Sequence, residues 1–436
     1  PFADVAELLD AADPAPPAPP PAAETGAQTT EWFSVDDYLA LEDGPPALPR
    51  REHHVTAVVV GHDGAVWLPA VLTTLAAQTR LPDVAVGVDA GSTDRTAELL
   101  AESFGDDRVV LAPAGTGFGT AVHAGLDHLG REPFPGAAIE WVWLLHDDSA
   151  PGRSCLERLL DTADDNPSAA ILGPKILGWH DRRLLLEAGV TVNGSGRRIT
   201  GLERREHDQG QHDGVRDVLS VSSAGMLVRR DVWDALEGFD PDLPLFRDDL
   251  DFCWRANRRG ERVLVATDAV LHHREASAHG RRADDIVPRP HRADREAAVH
   301  VLLAQAAALA APLVALRLLL GSLVRGGMYL LGKDVAAARD EVSAVTTLAL
   351  HPGRVRRSRE LVARTTTEPA RVVRSLRPSA ASQARQSLEA LAGVLTTSGA
   401  TTPNTSVSAL DSGPVGDDAD FMDGGGGGLT RRVLST

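Results

Sequence analysis

Cysteine is nearly missing from this sequence: Cys155 and Cys253 are the two in 436 residues. Two thiols make no disulfide framework and no cysteine-built zinc centre, and they fit a reducing compartment. Positive charge is also short. The formal net charge is −17, which argues against a general nucleic-acid binder, whose affinity comes mostly from neutralising phosphates. No apolar run is long and clean enough for a simple membrane span. Within the apolar block 296–332, Val301–Leu316 is 16 residues and already contains Gln305 and Pro312; Arg317 and Arg325 interrupt the remainder of the block. At about 1.5 Å per residue it falls short of a hydrocarbon core of roughly 30 Å. Interfacial or docking amphipathic helices are the expectation there. Pro1 stands where a Met would, with no signal peptide after it; a piece of a longer protein reads this way.

Large apolar side chains are scarce toward both ends. Residues 11–30, "AADPAPPAPPPAAETGAQTT", cannot bury enough to offset the entropy of ordering, and the end of the chain, with its run of glycines, reads alike. The chain divides into four segments: a disordered Pro/Ala-rich segment 1–50, a folded domain 51–290, a helical region 291–385 that is apolar and then basic, and a disordered tail 386–436. The basic part holds Arg354, Arg356, Arg357, Arg359, Arg364, Arg371, Arg374 and Arg377 among few acids. Such an asymmetry in an acidic chain points to a local anionic partner, such as a membrane surface.

What the middle contains is alternation. "VTAVVV" (55–60) is a β-branched run that suits a buried parallel strand, and "VWLPAVLTTLAAQ" carries helical periodicity. "VAVGVDAGSTDRTAELLAES" reads as strand, turn and helix, with Asp94 as an N-cap. "RVVLAPA", "GTGFGTAVHAGLDHLG" and "AAIEWVWLLHDDSAP" continue as strand, helix and strand. Strand alternating with helix predicts a mostly parallel α/β sheet. Ligands of such sheets bind beyond the carboxyl ends of the strands. Gly61-His62-Asp63, Asp89 to Asp94 and His146 to Ser149 all fall at such ends, which predicts one shared rim. Further on, Asn193-Gly194 predicts a hairpin turn. "VLSVSSAGMLVRRDVWDAL" reads as a strand, a small-residue turn and a helix.

Each polar cluster has a bland reading and a chemical one. Asp147 and Asp148 end a strand; paired Asp are ordinary turn residues, yet they also supply the hard oxygens that Mg²⁺ or Mn²⁺ takes alongside substrate phosphates. Asp248, Asp249 and Asp251 open a helix, where the macrodipole favours acids; a carboxylate held there also suits a general base toward a hydroxyl. His272 and His273 close a strand, and alternation lets at most one of them face a given site. Asp89 precedes a Gly-Ser turn, where it can serve the turn or accept a hydrogen bond from a base N–H or a ribose hydroxyl.

Taken together and in order, "VTAVVVGHDGAVWLPAVLTTLAAQT", "VGVDAGSTDRT", "GTGFGTAVHAGL", "WLLHDDSAP", "SSAGMLVRRDVWDALEGFDPDLPLFRDDLDFCWRANRRG" and "AVLHHREAS" resemble the family-2 glycosyltransferases of the GT-A fold, over roughly residues 54–290. The nearest resemblance is to rhamnosyl- and galactofuranosyl-transferase-like members that build bacterial cell-surface glycans. It implies a Rossmann-like nucleotide-sugar-binding α/β domain followed by a C-terminal helical region. It implies that Asp89 contacts the nucleotide base, and that Asp148, the last acid of the family's Asp-x-Asp motif, binds the Mg²⁺ or Mn²⁺ that bridges the donor diphosphate. Asp147 lies nearer the donor sugar or ribose. Asp249 is the catalytic base, Asp248 orients the acceptor, and Gly117 and Gly119 belong to a loop packing near the donor. His272 matches a histidine that in some members completes the metal shell, ahead of His273. His146 stands where many members carry the first acid of the motif.

The implied activity is inverting transfer from a UDP- or dTDP-sugar to a glycan or polyprenyl-linked acceptor, at the cytoplasmic face of the cell membrane and without nucleic acid. Two other readings are weighed. A sugar-phosphate nucleotidyltransferase needs a Gly-rich basic loop after the first strand, but "GHDGAVW" holds no Lys or Arg. A non-catalytic binding or scaffold protein with a degenerate site is opposed by the presence of both Asp148 and Asp249.

Overall fold

The computed structural model of the chain describes residues 51–130, 138–203, 205–275, 289–331, 333–369 and 371–377. The segments expected to be disordered, 1–50 and 386–436, lie outside the described residues. The first half alternates as the sequence predicts: β1 (His53–Gly61), α1 (Leu68–Ala76), β2 (Val84–Asp89), α2 (Thr96–Phe104), β3 (Val109–Leu111), α3 (Phe118–Leu129) and β4 (Ile139–His146). Next are β5 (Ser149–Pro151), α4 (Cys155–Asp165), β6 (Ala169–Gly178), β7 (Leu185–Glu187), the small hairpin β8 (Thr191–Val192) and β9 (Arg198–Ile199), and β10 (Arg216–Asp217). Then come β11 (Leu227–Arg229), α5 (Arg230–Ala235), α6 (Asp248–Arg259) and β12 (Arg262–His273). The strand expected within "VLSV" is displaced: that segment contributes an isolated bridge, Val190 to Ser220, and the paired strand is β11, after the small-residue turn.

The main sheet runs β10-β12-β6-β11-β4-β1-β2-β3, with β5 on β12 and β7 on β6. β1 lies parallel to both β2 and β4, and β12 is parallel to β6. β11 is antiparallel to both β4 and β6, so those two run in one direction. The carboxyl ends of β1, β2, β4, β6 and β12 therefore share a rim, as the order of elements predicts.

The pleat explains the layers. Val55, Ala57 and Val59 of β1 pack into one core with Leu68, Leu100, Leu156 and Leu159, from α1, α2 and α4. Val58 and Val60 face the other way, toward Phe118, Val122, Trp233 and Phe252, from α3, α5 and α6. Alternate side chains of a buried strand serve opposite faces, which is why "VTAVVV" is apolar throughout.

Among the described residues four more α-helices follow: α7 (Pro290–Gln305), α8 (Ala311–Leu331), α9 (Val335–Leu350) and α10 (Pro352–Thr365). A third core joins them to α6: Val299, Val301, Leu302 and Leu318 pack with Leu250 and Trp254. Buried polar groups lock the joint. Asp251 and Arg255, one helical turn apart and fully buried, pair at 2.7 Å, and Gln305 Nε2 donates to Asp251 Oδ1 at 2.9 Å. His300 Nε2 meets Ser358 Oγ at 2.7 Å, and burial, with Arg354 nearby, pushes its imidazole down to about 4.

The apolar block divides differently from the sequence reading. The helix break falls at residues 306–310, so α8 is 21 residues and, by length and composition, long and apolar enough to cross a membrane. Its two arginines are both tied to other elements, Arg317 from the surface and Arg325 half-buried. Arg317 Nη2 donates to Gly194 O at 2.7 Å and Arg325 pairs with Glu341 at 2.9 Å. Leu313, Leu316, Leu320, Leu323 and Val324 are left exposed.

Candidate active site

β4 leaves the core at His146, and Asp147 and Asp148 form a two-residue turn into β5. Ser149 clasps that turn: its Oγ accepts from His146 N–H and donates to His146 O, both at 2.9 Å. The clasp sets the Asp148 carboxylate, 1% exposed, against the end of β12. His146, Asp148 and His273 bring one ligand atom each within 4.8 Å of one another. His273 Nε2 lies 3.2 Å from Asp148 Oδ1. Burial works against charge on His273, but the Asp148 carboxylate holds its imidazole above the ordinary range. His146 stacks on Phe118 at 4.4 Å between ring centroids and meets Ser223 Oγ at 3.1 Å. One carboxylate and two imidazoles converging this closely are a donor set that fits a divalent ion.

His272 lies apart from this group. Its Nδ1 meets Gly178 O at 3.2 Å, and burial together with Arg182 pulls its imidazole below the ordinary range. His273, opposite Ser149 in the β5–β12 ladder, is the residue that faces Asp148. The β12–β6 ladder has a register shift between Ala266 and Val270, ahead of the two histidines.

The β1–β2 end of the rim carries two buried carboxylates, each with one oxygen left without a hydrogen bond among the described residues. Asp89 sits at the end of β2, 5% exposed; Oδ2 accepts from Ser92 N–H at 3.2 Å, and Oδ1 has no hydrogen-bond partner among the described residues. Asp63, at φ 45°, accepts from Thr93 N–H at 2.7 Å through Oδ1, and its buried Oδ2 has no hydrogen-bond partner among them, with His62 Nε2 3.9 Å away. Buried acceptors left open at a strand end are an unusual cost unless a ligand completes them. The N-cap of α2 is Arg95 rather than Asp94, the residue before it, although Asp94 does accept from Thr96 N–H at 2.9 Å.

Asp147 is turned toward the chain rather than into the His146–Asp148–His273 group. Its Oδ2 accepts from His62 N–H at 2.7 Å, and a Cβ on Gly64 would come within 2.1 Å of it. This carboxylate ties the β4 turn to the loop after β1. Gly117 and Gly119 are also accounted for by packing: a Cβ at Gly117 would strike Pro244 and one at Gly119 would strike Phe239, each within 2.6 Å. They let α3 seat against the loop before α6.

That loop ends at Arg247, which holds a left-handed φ of 63° and is anchored to Asp294, with Nη2 to Oδ2 at 2.6 Å. Asp248 and Asp249 come next, at the helix start, 3% and 4% exposed. Asp248 Oδ1 accepts from Asp249 N–H at 3.0 Å; Oδ2 is buried without a partner among the described residues. Burial, then the charge of Asp249, holds the Asp248 carboxyl well above the ordinary range. Asp249 has a different partner: Arg198 Nη1 and Nη2 reach its two oxygens at 3.2 and 2.9 Å, and Nη2 also reaches Glu187 at 2.8 Å. Glu275 links this group to the histidines. Burial pushes its carboxyl up to about 7 against the pull of His273, and it also feels Glu187, Arg198 and Asp148. Arg198, Glu187 and Ser223 have no signature in the sequence: two lie in the polar, irregular stretch 180–217, and Ser223 is one small residue in a turn.

A sequence profile described as "Glycosyltransferase like family 2" matches residues 53–285, just over half the chain. The N-acetylglucosaminyl-diphospho-decaprenol L-rhamnosyltransferase of Mycobacterium tuberculosis is 26% identical over 272 residues, covering 57% of this chain and 83% of that one. The O-antigen biosynthesis protein RfbC of Myxococcus xanthus is 27% identical over 239 residues, covering 53% of this chain and 18% of its own length. Two solved structures share looser likeness. S. aureus TarS 1–349 in complex with UDP overlays at TM-score 0.40 and 14% identity, over 71% of this chain and 89% of that one. The mannosyltransferase PcManGT from Pyrobaculum calidifontis, in complex with GDP-Man and Mn²⁺, overlays at 0.36 and 16%, over 76% and 90%.

Proposed function

This chain belongs to the glycosyltransferase-like family 2, and on that premise we propose that it transfers a sugar from a nucleotide-diphosphate donor to a hydroxyl of a glycan or polyprenyl-linked acceptor, with inversion and with a divalent metal, in the synthesis of a cell-surface polysaccharide. The observation that carries the reading is the shared rim. His146, Asp148 and His273 converge at its centre, open carboxylate oxygens of Asp63 and Asp89 lie at one end, and the buried pair Asp248–Asp249 opens the helix at the other. In this assignment Asp89 and Asp63 accept from the base or ribose of the donor. A divalent ion, when bound by Asp148 and the two histidines, offsets charge on the leaving diphosphate. Asp249 takes the acceptor's hydroxyl proton. The acceptor oxygen bonds to the anomeric carbon as the bond to the diphosphate oxygen breaks, the nucleoside diphosphate leaves, and the configuration inverts. Two imidazoles and one carboxylate suit Mn²⁺ better than Mg²⁺, which favours all-oxygen octahedra.

The test is a panel of UDP-, dTDP- and GDP-sugars with the full chain, followed by mass spectrometry, with Mn²⁺, Mg²⁺ or a chelator. One donor should be consumed, faster with Mn²⁺ than with Mg²⁺ and not at all with chelator. No consumption of any donor together with no metal-dependent nucleotide binding would remove the enzyme reading and leave a binding protein.

The acceptor side favours work at the inner face of the cell membrane. α8 exposes its leucines, with Arg325 half-buried against Glu341 and Arg317 exposed beside Gly194 O, and α10 adds Arg356 and Arg357. An apolar face flanked by arginines suits an interfacial helix on an anionic bilayer. The full chain should float with vesicles containing anionic lipid, and the double variant Leu320→Glu/Leu323→Glu should not. Flotation of neither, or of both alike, would refute a membrane-docking α8.

A further inference from the structure

The β8–β9 turn, Asn193 to Arg197, is gripped to an unusual degree for a surface hairpin. Three consecutive carbonyls are each taken by an arginine from outside it: Gly194 O by Arg317 at 2.7 Å, Ser195 O by Arg295 at 2.6 Å and Gly196 O by Arg247 at 3.1 Å. The strand before the turn is held too. Thr191 Oγ1 donates to Leu376 O at 2.6 Å, and Arg377 Nε donates to Val192 O at 3.2 Å. Within the turn, Asn193 Oδ1 accepts from Ser195 and Arg197 N–H, both at 2.9 Å. A two-stranded ribbon of this size is marginal alone, so these contacts fix it. The residue that leaves the fixed turn is Arg198.

Arg198 lies between two acids. Its fork spans Asp249, and one nitrogen also serves Glu187. Asp249 Oδ1 accepts from Leu250 N–H at 2.7 Å as well as from Arg198 Nη1, whereas Oδ2 accepts, among the described residues, from Arg198 Nη2 alone. A carboxylate oxygen has two lone-pair sites, so Oδ1 is filled and Oδ2 keeps one site for a proton.

We propose that Arg198 is a positioning residue: set in place by the clamped β8–β9 turn, it fixes the Asp249 carboxylate so that the remaining site on Oδ2 receives the proton of the acceptor hydroxyl. This rests on the reading of Asp249 as the base. Glu187 holds the guanidinium from behind, and the C-terminal helices, through Arg295 and Arg317, contribute to the site without touching a substrate.

The experiment uses the full chain and the donor found in the panel. Arg198→Ala should lower kcat by about 100-fold, the scale of a misplaced catalytic group, with nucleotide affinity unchanged. Arg198→Lys should recover only part of it, since an ammonium lacks the fork. Added methylguanidinium should raise the rate of Arg198→Ala. Combining Arg198→Ala with Asp249→Asn separates the two ideas. If Arg198 acts through Asp249, the double variant is no slower than Asp249→Asn alone. A further loss of tenfold or more in the double variant would overturn the positioning role while leaving Asp249 as the base. An active Asp249→Asn would instead remove the base reading itself. An Arg198→Ala protein with native kcat, or one that loses nucleotide affinity in step with kcat, would also overturn the proposal.

Discussion

Asp249→Asn is expected to lower kcat by about a thousandfold, within the range of a general base, while nucleotide affinity stays near the native value. The amide has nearly the shape of the carboxylate but cannot take the proton. A thousandfold corresponds to about 4 kcal/mol of transition-state stabilisation. The substitution has a second effect, because Arg198 Nη1 and Nη2 both point at this carboxylate. An amide offers one acceptor oxygen, so one nitrogen of the buried guanidinium loses its partner there, although Glu187 still holds Nη2. Stability should fall by about 1–3 kcal/mol, read as a lower thermal midpoint. Asp248→Asn is the contrast. Burial and its neighbour's charge hold that carboxyl well above the ordinary range, so the fold disfavours its charge. Its amide should cost much less than that of Asp249. Steady-state kinetics on both variants, with nucleotide binding as the control, decides the matter. Turnover by Asp249→Asn within a few-fold of native would show that the base lies elsewhere.

The different behaviour of these two neighbours marks what a sequence can and cannot tell. That acids open a helix after "LPLF" is legible from spacing alone; which one is paired depends on Arg198, 51 residues away on a separate hairpin. Local pattern predicts the first half of the fold well because each parallel strand is a short β-branched run and each crossover helix has its own apolar stripe. It does less well where pairing is non-local. The strand inside "SSAGMLVRR" is placed by β4 and β6 on either side of it, and nothing in its own residues selects Leu227–Arg229 over Val218–Val221. His272 and His273 are ambiguous for a related reason. Alternation says that they point to opposite faces, but not which face is which, and the ladder shifts register ahead of them, after Ala266. The rim is legible in full as a set of strand ends. What each residue there touches is not: Asp147 accepts a backbone hydrogen bond from His62, and Gly117 and Gly119 allow close packing. α8 is the converse case: its arginines are interruptions in one dimension and anchors to neighbouring elements in three, Arg317 to Gly194 O and Arg325 to Glu341.

Asp148→Asn should weaken Mn²⁺ binding in the presence of nucleotide by about 100-fold or more, since loss of even an outer-shell partner commonly costs 10–100-fold. Asp148 is the one carboxylate of the His146–Asp148–His273 group, so the variant removes its only formal charge, and it removes the partner that holds the His273 imidazole above its ordinary range. His146 makes the group more dependent on that charge: an acid there would share the load, and a neutral imidazole does not. The same reasoning separates the two adjacent histidines. His273→Ala should match Asp148→Asn in losing metal affinity and metal-dependent turnover. His272→Ala should change either by no more than a few-fold, because its nitrogen is turned to Gly178 O. Titration of Mn²⁺ monitored by electron paramagnetic resonance, with and without nucleoside diphosphate, reads affinity apart from turnover. Equal Mn²⁺ affinity in native protein and in Asp148→Asn would place the metal elsewhere on the rim. A larger loss from His272→Ala than from His273→Ala would show that β12 presents its other face to the ion.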